Sequence, residues 1–164
     1  MTCTRRISPN NMTSDTTPAP YIAVASSTLS ASYKAWRAFD GLHEESVWAS
    51  ANVPLPAWLA VGIGDAQVAC RYALRCGSAN YPTDWTFEGS NNGMDWDILD
   101  TQEDQILQFY YDWYKDIDNT TAYKYYQLTF TGTSDDIIVI GEFRIYTTSV
   151  LQDVIQAGIV VAPR

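Results

Sequence analysis

Residues 82–102 read PTDWTFEGSNNGMDWDILDTQ, and this stretch decides the architecture. Two short runs, 86–90 and 97–100, flank a cluster of small polar residues in which Asn92-Gly93 is a turn signal. The reading is strand, turn, strand. The same texture continues on both sides, and strands are expected at 21–26, 58–63, 66–74, 106–111, 124–131 and 139–147. Alternation is clearest in the last two. Tyr126, Leu128 and Phe130 share one face, whereas Ile140, Phe143 and Ile145 show a phase slip near Gly141 that predicts a bulge. Only 32–39 has a helical pattern, one or two turns long. No internal repeat is present, so the expectation is an all-β sandwich or barrel. Trp48, Trp58, Trp85 and Trp96 are expected in core or hairpin packing, with Trp36 beneath the helical turn.

The flanks differ in character. Residues 1–20 carry Pro9, Pro18 and Pro20 amid Ser, Thr and Asn and read as an extended arm, followed by a sandwich over 21–148. Residues 149–164, SVLQDVIQAGIVVAPR, form an arm or strand that either packs back on its own domain or adds to a neighbouring subunit. The net charge is −9, which disfavours nucleic acid and anionic membrane surfaces as partners. Eight acids between Asp95 and Asp118, opposed only by Lys115, make either a solvated face or a place for a cation or basic partner. No apolar run reaches the roughly 18 residues needed to insert across a bilayer. The N-terminus lacks the apolar segment of a secretory signal. The three cysteines, Cys3, Cys70 and Cys76, are odd in number and sparse, so buried free thiols and synthesis in a reducing cytoplasm are expected.

Four segments share an order and spacing: KAWRAFDG (34–41) with Trp48 after it, the 82–102 stretch, NTTAYKYYQLTFTG (119–132) and VIGEFRIY (139–146). Together they resemble the motifs of discoidin, or F5/8 type C, domains, which include the carbohydrate-binding modules of family 32. The resemblance covers about residues 20–147. It implies an all-β, discoidin-like jelly-roll β-sandwich of about eight strands, galactose-binding-like, with N- and C-terminal extensions. The FEGSNNG and NTTAYKYY variant is similar to domains of phage virion proteins such as tail fibres, and of bacterial surface proteins.

The resemblance also implies two sites. A structural calcium ion would take the carbonyls of Arg37, Leu42 and Gly141 and the side chains of Asp40, Ser46 and Glu142. Calcium suits such a set because it is hard and accepts many irregularly placed oxygens. The alternative is a loop closed by hydrogen bonds, with Glu142 paired to Arg37 or Arg144. The second site is for a sugar. Arg75 and Asn80, within LRCGSANYP, have the spacing of an Arg and Asn in related sugar-binding modules, where a guanidinium fork and an amide meet hydroxyls. Tyr33, Tyr81 or Trp113 would cover the apolar face of the ring. The alternative is a surface ion pair for Arg75 and a turn cap for Asn80.

Catalysis finds little support. The one histidine, His43, has no second His or paired Cys for zinc and reads as an exposed loop residue. The Asp135-Asp136 pair reads as solvated loop acids. The expected function is a non-catalytic binding module of a phage virion (tail fibre, baseplate or capsid surface) that recognises cell-surface glycans. Its partners would be glycan, other virion proteins and copies of itself. A bacterial cell surface is the alternative location. The rival functions are a structural decoration protein that docks through its terminal arms, and a detached accessory module of an enzyme.

Overall fold

Period-two alternation turns into two facing sheets. The computed structural model describes residues 2–42, 45–52 and 54–149. The strands are β1 (Cys3–Arg6), β2 (Ile22–Ala25), β3 (Trp48–Ala49), β4 (Ala57–Gln67), β5 (Arg71–Arg75), β6 (Pro82–Ser90), β7 (Asp97–Gln102), β8 (Asp112–Asp116), β9 (Tyr123–Thr133), β10 (Val139–Ile140) and β11 (Glu142–Thr148). One sheet has the order β1, β11, β5, β8 and the other β2, β4, β9, β6, β7, with β10 and β3 forming a short ribbon. The pairings are antiparallel. This is the expected all-β jelly-roll sandwich. Among the described residues the one helical segment is a 3-10 turn, Ala35–Phe39.

The core lies between the sheets. Tyr126, Leu128 and Phe130 of β9 are fully buried, as their shared phase requires, and Ile145 and Phe143 of β11 face them from the other layer. Each such side chain contributes about 1.5–3 kcal/mol when taken out of water. Trp48 and Trp85 are also core. Trp58 and Trp96 are not. Both are only half-buried, because β4 buries Leu59 and Val61, which sets Trp58 on the opposite face, and Trp96 stands at the base of the turn between β6 and β7. Trp36 packs partly against the core with the Arg37 guanidinium 4.6 Å over its ring.

The chain departs from expectation in four further places. The 66–74 strand is two strands, β4 and β5, separated by a turn in which the Tyr126 hydroxyl donates to the Gln67 carbonyl and accepts from the Ala69 N–H. Residues 106–111 are not a strand; only Leu107 there is buried, and Tyr110 has φ +69°, outside strand geometry. Residues 1–20 do not extend as an arm. β1 pairs with β11, and Ile7 and Met12 enter the core. The fourth departure is covalent. Cys3 and Cys70 form a disulfide, with Cα atoms 5.9 Å apart, where free thiols were expected. The edge pairing of β1 brings Cys3 beside the start of β5 across β11. Cys76 is free and buried, and burial pushes its thiol up to about 12. The phase slip near Gly141 is not a bulge within one strand: β10 ends at Ile140, paired with β3, and β11 begins at Glu142, paired with β5. Residues 150–164 and His43 lie outside the described residues.

The cross-link ties the N-terminal strand to β5 over a separation of 67 residues. A Cys3→Ser/Cys70→Ser variant should lose about 2–4 kcal/mol of stability in urea unfolding. An unchanged midpoint would show that the link does not close in solution.

Candidate functional site

At one end of the sandwich, four loops surround a cavity of about 390 Å³. Tyr33 comes from the segment before the 3-10 turn, Glu45 and Val47 from the loop leading to β3, Ser78 and Asn80 from the β5–β6 loop, and Val139 from β10. The backbone of Asn80 is clamped on both sides: its N–H donates to Ser78 Oγ (3.1 Å) and its carbonyl accepts from Val139 N–H (2.9 Å). The Tyr33 N–H donates to the Ser30 carbonyl (3.0 Å). Gly77 is needed in this wall, since a Cβ there would sit 2.4 Å from Val47 Cγ1. The cavity thus offers one aromatic ring, an amide, a hydroxyl and a carboxylate around an apolar floor. That set can stack on a sugar face and meet its hydroxyls.

Two of the five expected ligand residues, Tyr33 and Asn80, line this cavity; Arg75, Tyr81 and Trp113 do not. Arg75 ends β5 opposite Asp112 of β8, and its Nε donates to Asp112 Oδ1 at 2.9 Å. Arg144 donates to the same oxygen. Burial works to raise the Asp112 carboxyl, and the two guanidiniums more than offset it, holding the group below its ordinary range. What this cluster adds to stability is therefore present at neutral pH and is lost as the pH falls below that range. Tyr81 is held by Ser134 and packs partly on the core. Trp113 packs against Trp85 (4.9 Å, edge-on) and Tyr72 (5.5 Å). Glu45, Val47 and Ser78 were not anticipated. Ser78 was within reach, two positions before Asn80 in the same loop, whereas nothing in the sequence marks Glu45.

Several of the residues expected around calcium make hydrogen bonds or ion pairs to neighbouring groups. Arg37 Nη1 donates to Ser46 Oγ (3.0 Å), and Asp40 Oδ1 accepts from the Leu42 N–H (2.9 Å). Glu142 is fully buried and takes an ion pair from Arg6 at 2.6 Å. The Gly141 N–H donates to the Arg75 carbonyl at 2.8 Å. One feature suits a cation: Asp40 Oδ2 is buried without a hydrogen-bond partner. Against it stand two guanidiniums, on Ser46 and on Glu142, whose charge opposes a divalent ion. Among the described residues no three of His, Cys, Asp and Glu gather into a metal set.

The fold can now be compared with known proteins. No protein-family model and no curated protein matches the sequence. Among solved structures, chitosan-binding module 1 of a chitosanase/glucanase from Paenibacillus sp. IK-5 is 26% identical, with 87% of this chain and 99% of that chain covered and a TM-score of 0.66. Chitosan-binding module 2 of the same enzyme, solved with chitotriose, is 20% identical (86% and 99% covered, TM-score 0.65). The family 32 module of C. perfringens NanJ, solved with galactose, is 21% identical (77% and 93% covered, TM-score 0.65). The chain has the fold of carbohydrate-binding modules. Some of these modules are parts of glycoside hydrolases. Among the described residues, no helix is long and apolar enough to cross a membrane.

Arg6→Ala removes a charged hydrogen bond from a buried carboxylate and should lower stability by about 1.5–3 kcal/mol. Millimolar calcium should leave the melting temperature of the unaltered protein unchanged. A calcium-dependent rise of several degrees would show that the ion displaces Arg6.

Proposed function

We propose that the chain is a non-catalytic glycan-binding module that holds a sugar in the loop-end cavity. The observation that carries this reading is that Tyr33 and Asn80 line one cavity, with the Asn80 backbone held by Ser78 and Val139. Tyr33 stacks on the pyranose face, while Asn80 and Ser78 exchange hydrogen bonds with its hydroxyls. Among the described residues no Lys or Arg lines the cavity and Glu45 does, so the ligand is a neutral or amino sugar rather than a sulfated or carboxylated one. The solved modules bound to galactose and chitotriose support a sugar of this kind. The carboxylate pair Asp135-Asp136 is exposed, and Asp135 Oδ1 accepts from the Asp136 N–H (2.8 Å), an arrangement that sets no acid opposite a base.

The module is placed on a phage virion, in a tail fibre, baseplate or capsid surface. The motif resemblance supports this, and so does the Cys3–Cys70 disulfide, which suits a particle surface outside the reducing cytoplasm. A shallow site is weak alone, and repetition on a particle supplies avidity. The structural reading, docking through both arms, loses support because residues 3–6 pair with their own domain.

The test is a glycan array with the protein in multivalent form. For single sugars, Tyr33→Ala/Asn80→Ala should lose at least about tenfold in affinity, and Arg75→Ala should keep it. Silence from the folded protein across neutral and amino sugars would overturn the reading.

A further inference from the structure

The outer face of the five-stranded sheet is built unlike an ordinary solvated sheet. In β4 the phase that buries Leu59 and Val61 turns Trp58, Ala60 and Gly62 outward, and in β9 it turns out Tyr125 and Gln127. The registers stack these in rows. Gly62 lies between Ile22 and Tyr125, and Ala60 between Val24 and Gln127. Small residues thus form a central floor, with larger side chains on both sides. A Cβ on Gly62 would come within 3.0 Å of the Tyr125 ring, so the glycine lets that ring lie across the floor. Trp58 lines the trough from β4, and Trp96 with Gly93 lines it from the β6–β7 turn. The enclosed volume is about 380 Å³, inside the roughly 300–1,000 Å³ of ligand clefts. Ile22 and Val24 are 42% and 46% exposed, apolar surface that nothing in the described chain covers.

The polar part of the trough is held from the side, by neighbours on the same face of β6 and β9. Gln127 Nε2 donates to Glu88 Oε2 and Thr129 Oγ1, both at 3.0 Å, and Thr129 Oγ1 donates to the same Glu88 oxygen. Glu88 and Gln127 are both buried, so the amide is fixed in orientation before any ligand arrives. Among the described residues no Lys or Arg lines the trough, and the charge beside it is the Glu88 carboxylate, with Asp95 hydrogen-bonded to Asn92 at its rim.

We infer that this trough is a second glycan-binding site, separate from the loop-end cavity, and that it takes a short chain of neutral or amino sugars. Two tryptophans and a tyrosine meet the apolar faces of successive rings, and Gln127 and the Tyr125 hydroxyl meet their hydroxyl edges. The negative surroundings reject sulfated and uronate chains. An open trough across strands suits the middle of a chain, whereas the loop-end cavity suits a single sugar.

The test titrates the full chain with chitotriose and with cellotriose, read by calorimetry and by tryptophan emission, with heparin as the anionic control. Trp58 and Trp96 are partly exposed, so a ligand covering them shifts their emission to shorter wavelength. Trp96→Ala and, separately, Ala60→Ile, which fills the floor on the outer face, should each weaken trisaccharide binding at least about tenfold while circular dichroism stays native. Tyr33→Ala/Asn80→Ala should leave trisaccharide binding intact, and Ala60→Ile should leave single-sugar binding intact. The assignment is overturned if a folded Ala60→Ile binds the trisaccharides as the unaltered protein does. It is equally overturned if neither trisaccharide binds, or if only heparin does. Loss of trisaccharide binding in Tyr33→Ala/Asn80→Ala alone would assign that binding to the loop end and remove the second site, while leaving the proposed function standing.

Discussion

The two sheets are held at their spacing by a run of stacked rings. Tyr72 of β5 lies against Phe87 of β6 at 4.3 Å and 14° between planes, and Phe87 lies against Tyr126 of β9 at 5.5 Å and 8°. Phe143 of β11 meets Phe87 edge-on at 6.2 Å. Such contacts add about 0.5–1.5 kcal/mol each beyond the area they bury. Their polar ends matter as much. The Tyr72 hydroxyl donates to Asp100 (2.7 Å) and accepts from Trp85 Nε1 (2.9 Å). Burial first, and then Asp100, push that hydroxyl well above its ordinary pKa, so it stays protonated and donating. The Tyr126 hydroxyl pins the β4–β5 turn through Gln67 and Ala69. The rings therefore fix the phase of β5, β6 and β9 together. Once that phase is set, every outward residue on those strands is set too, including those of the sheet-face trough.

This explains what the sequence made legible. Where one face is strongly apolar, as in β9, alternation alone located the strand and its buried side. The slip at Gly141 marked a real change of phase, but its cause is a change of partner strand, from β3 to β5, and not the bulge that the local pattern suggested. The 106–111 run misled because its composition, rich in Ile, Phe and Tyr, is that of a strand, while its backbone turns through a left-handed residue at Tyr110. The position of Trp58 was present in the pattern but outweighed by residue type. It is out of step with Leu59, Val61 and Ile63 and in step with Ala60 and Gly62, so phase marked it as outward where size suggested core.

The candidate site was less legible, for a different reason. Arg75 and Asn80 have a suggestive spacing, but whether Arg75 is available depends on what lies across the sheet. That partner, Asp112, is 37 residues away and reaches Arg75 only through the β5–β8 register. The same limit applied to the cysteines. A cross-link between positions 3 and 70 follows from β1 adding at the edge of the sheet beside β11, and nothing local to either cysteine announces it. Loops and edges are placed by tertiary pairing, which local pattern does not encode.

The N-terminal residues carry the last step. Their strand is joined covalently to Cys70 at one end and by the Arg6–Glu142 ion pair at the other. Between them and the sandwich lies the Asp40-Gly41 loop. Gly41 has φ +80°, and a Cβ on it would stand 2.6 Å from the Asn10 carbonyl oxygen, so the segment after β1 packs directly on that turn. The Met12 N–H donates to the Phe39 carbonyl at 3.2 Å, and Met12 itself is buried. The loop is therefore braced from outside by backbone contact, and the buried Glu142 carboxylate is neutralised by a side chain of the same chain. A guanidinium supplied in this way is present at a fixed effective concentration, whereas a bound ion depends on the ion content of the surroundings. The Asp40-Gly41 loop leads through Ser46 and Val47 to one wall of the loop-end cavity. The segment after β1 thus braces the turn that precedes this wall, through the Gly41–Asn10 approach and the Met12–Phe39 hydrogen bond.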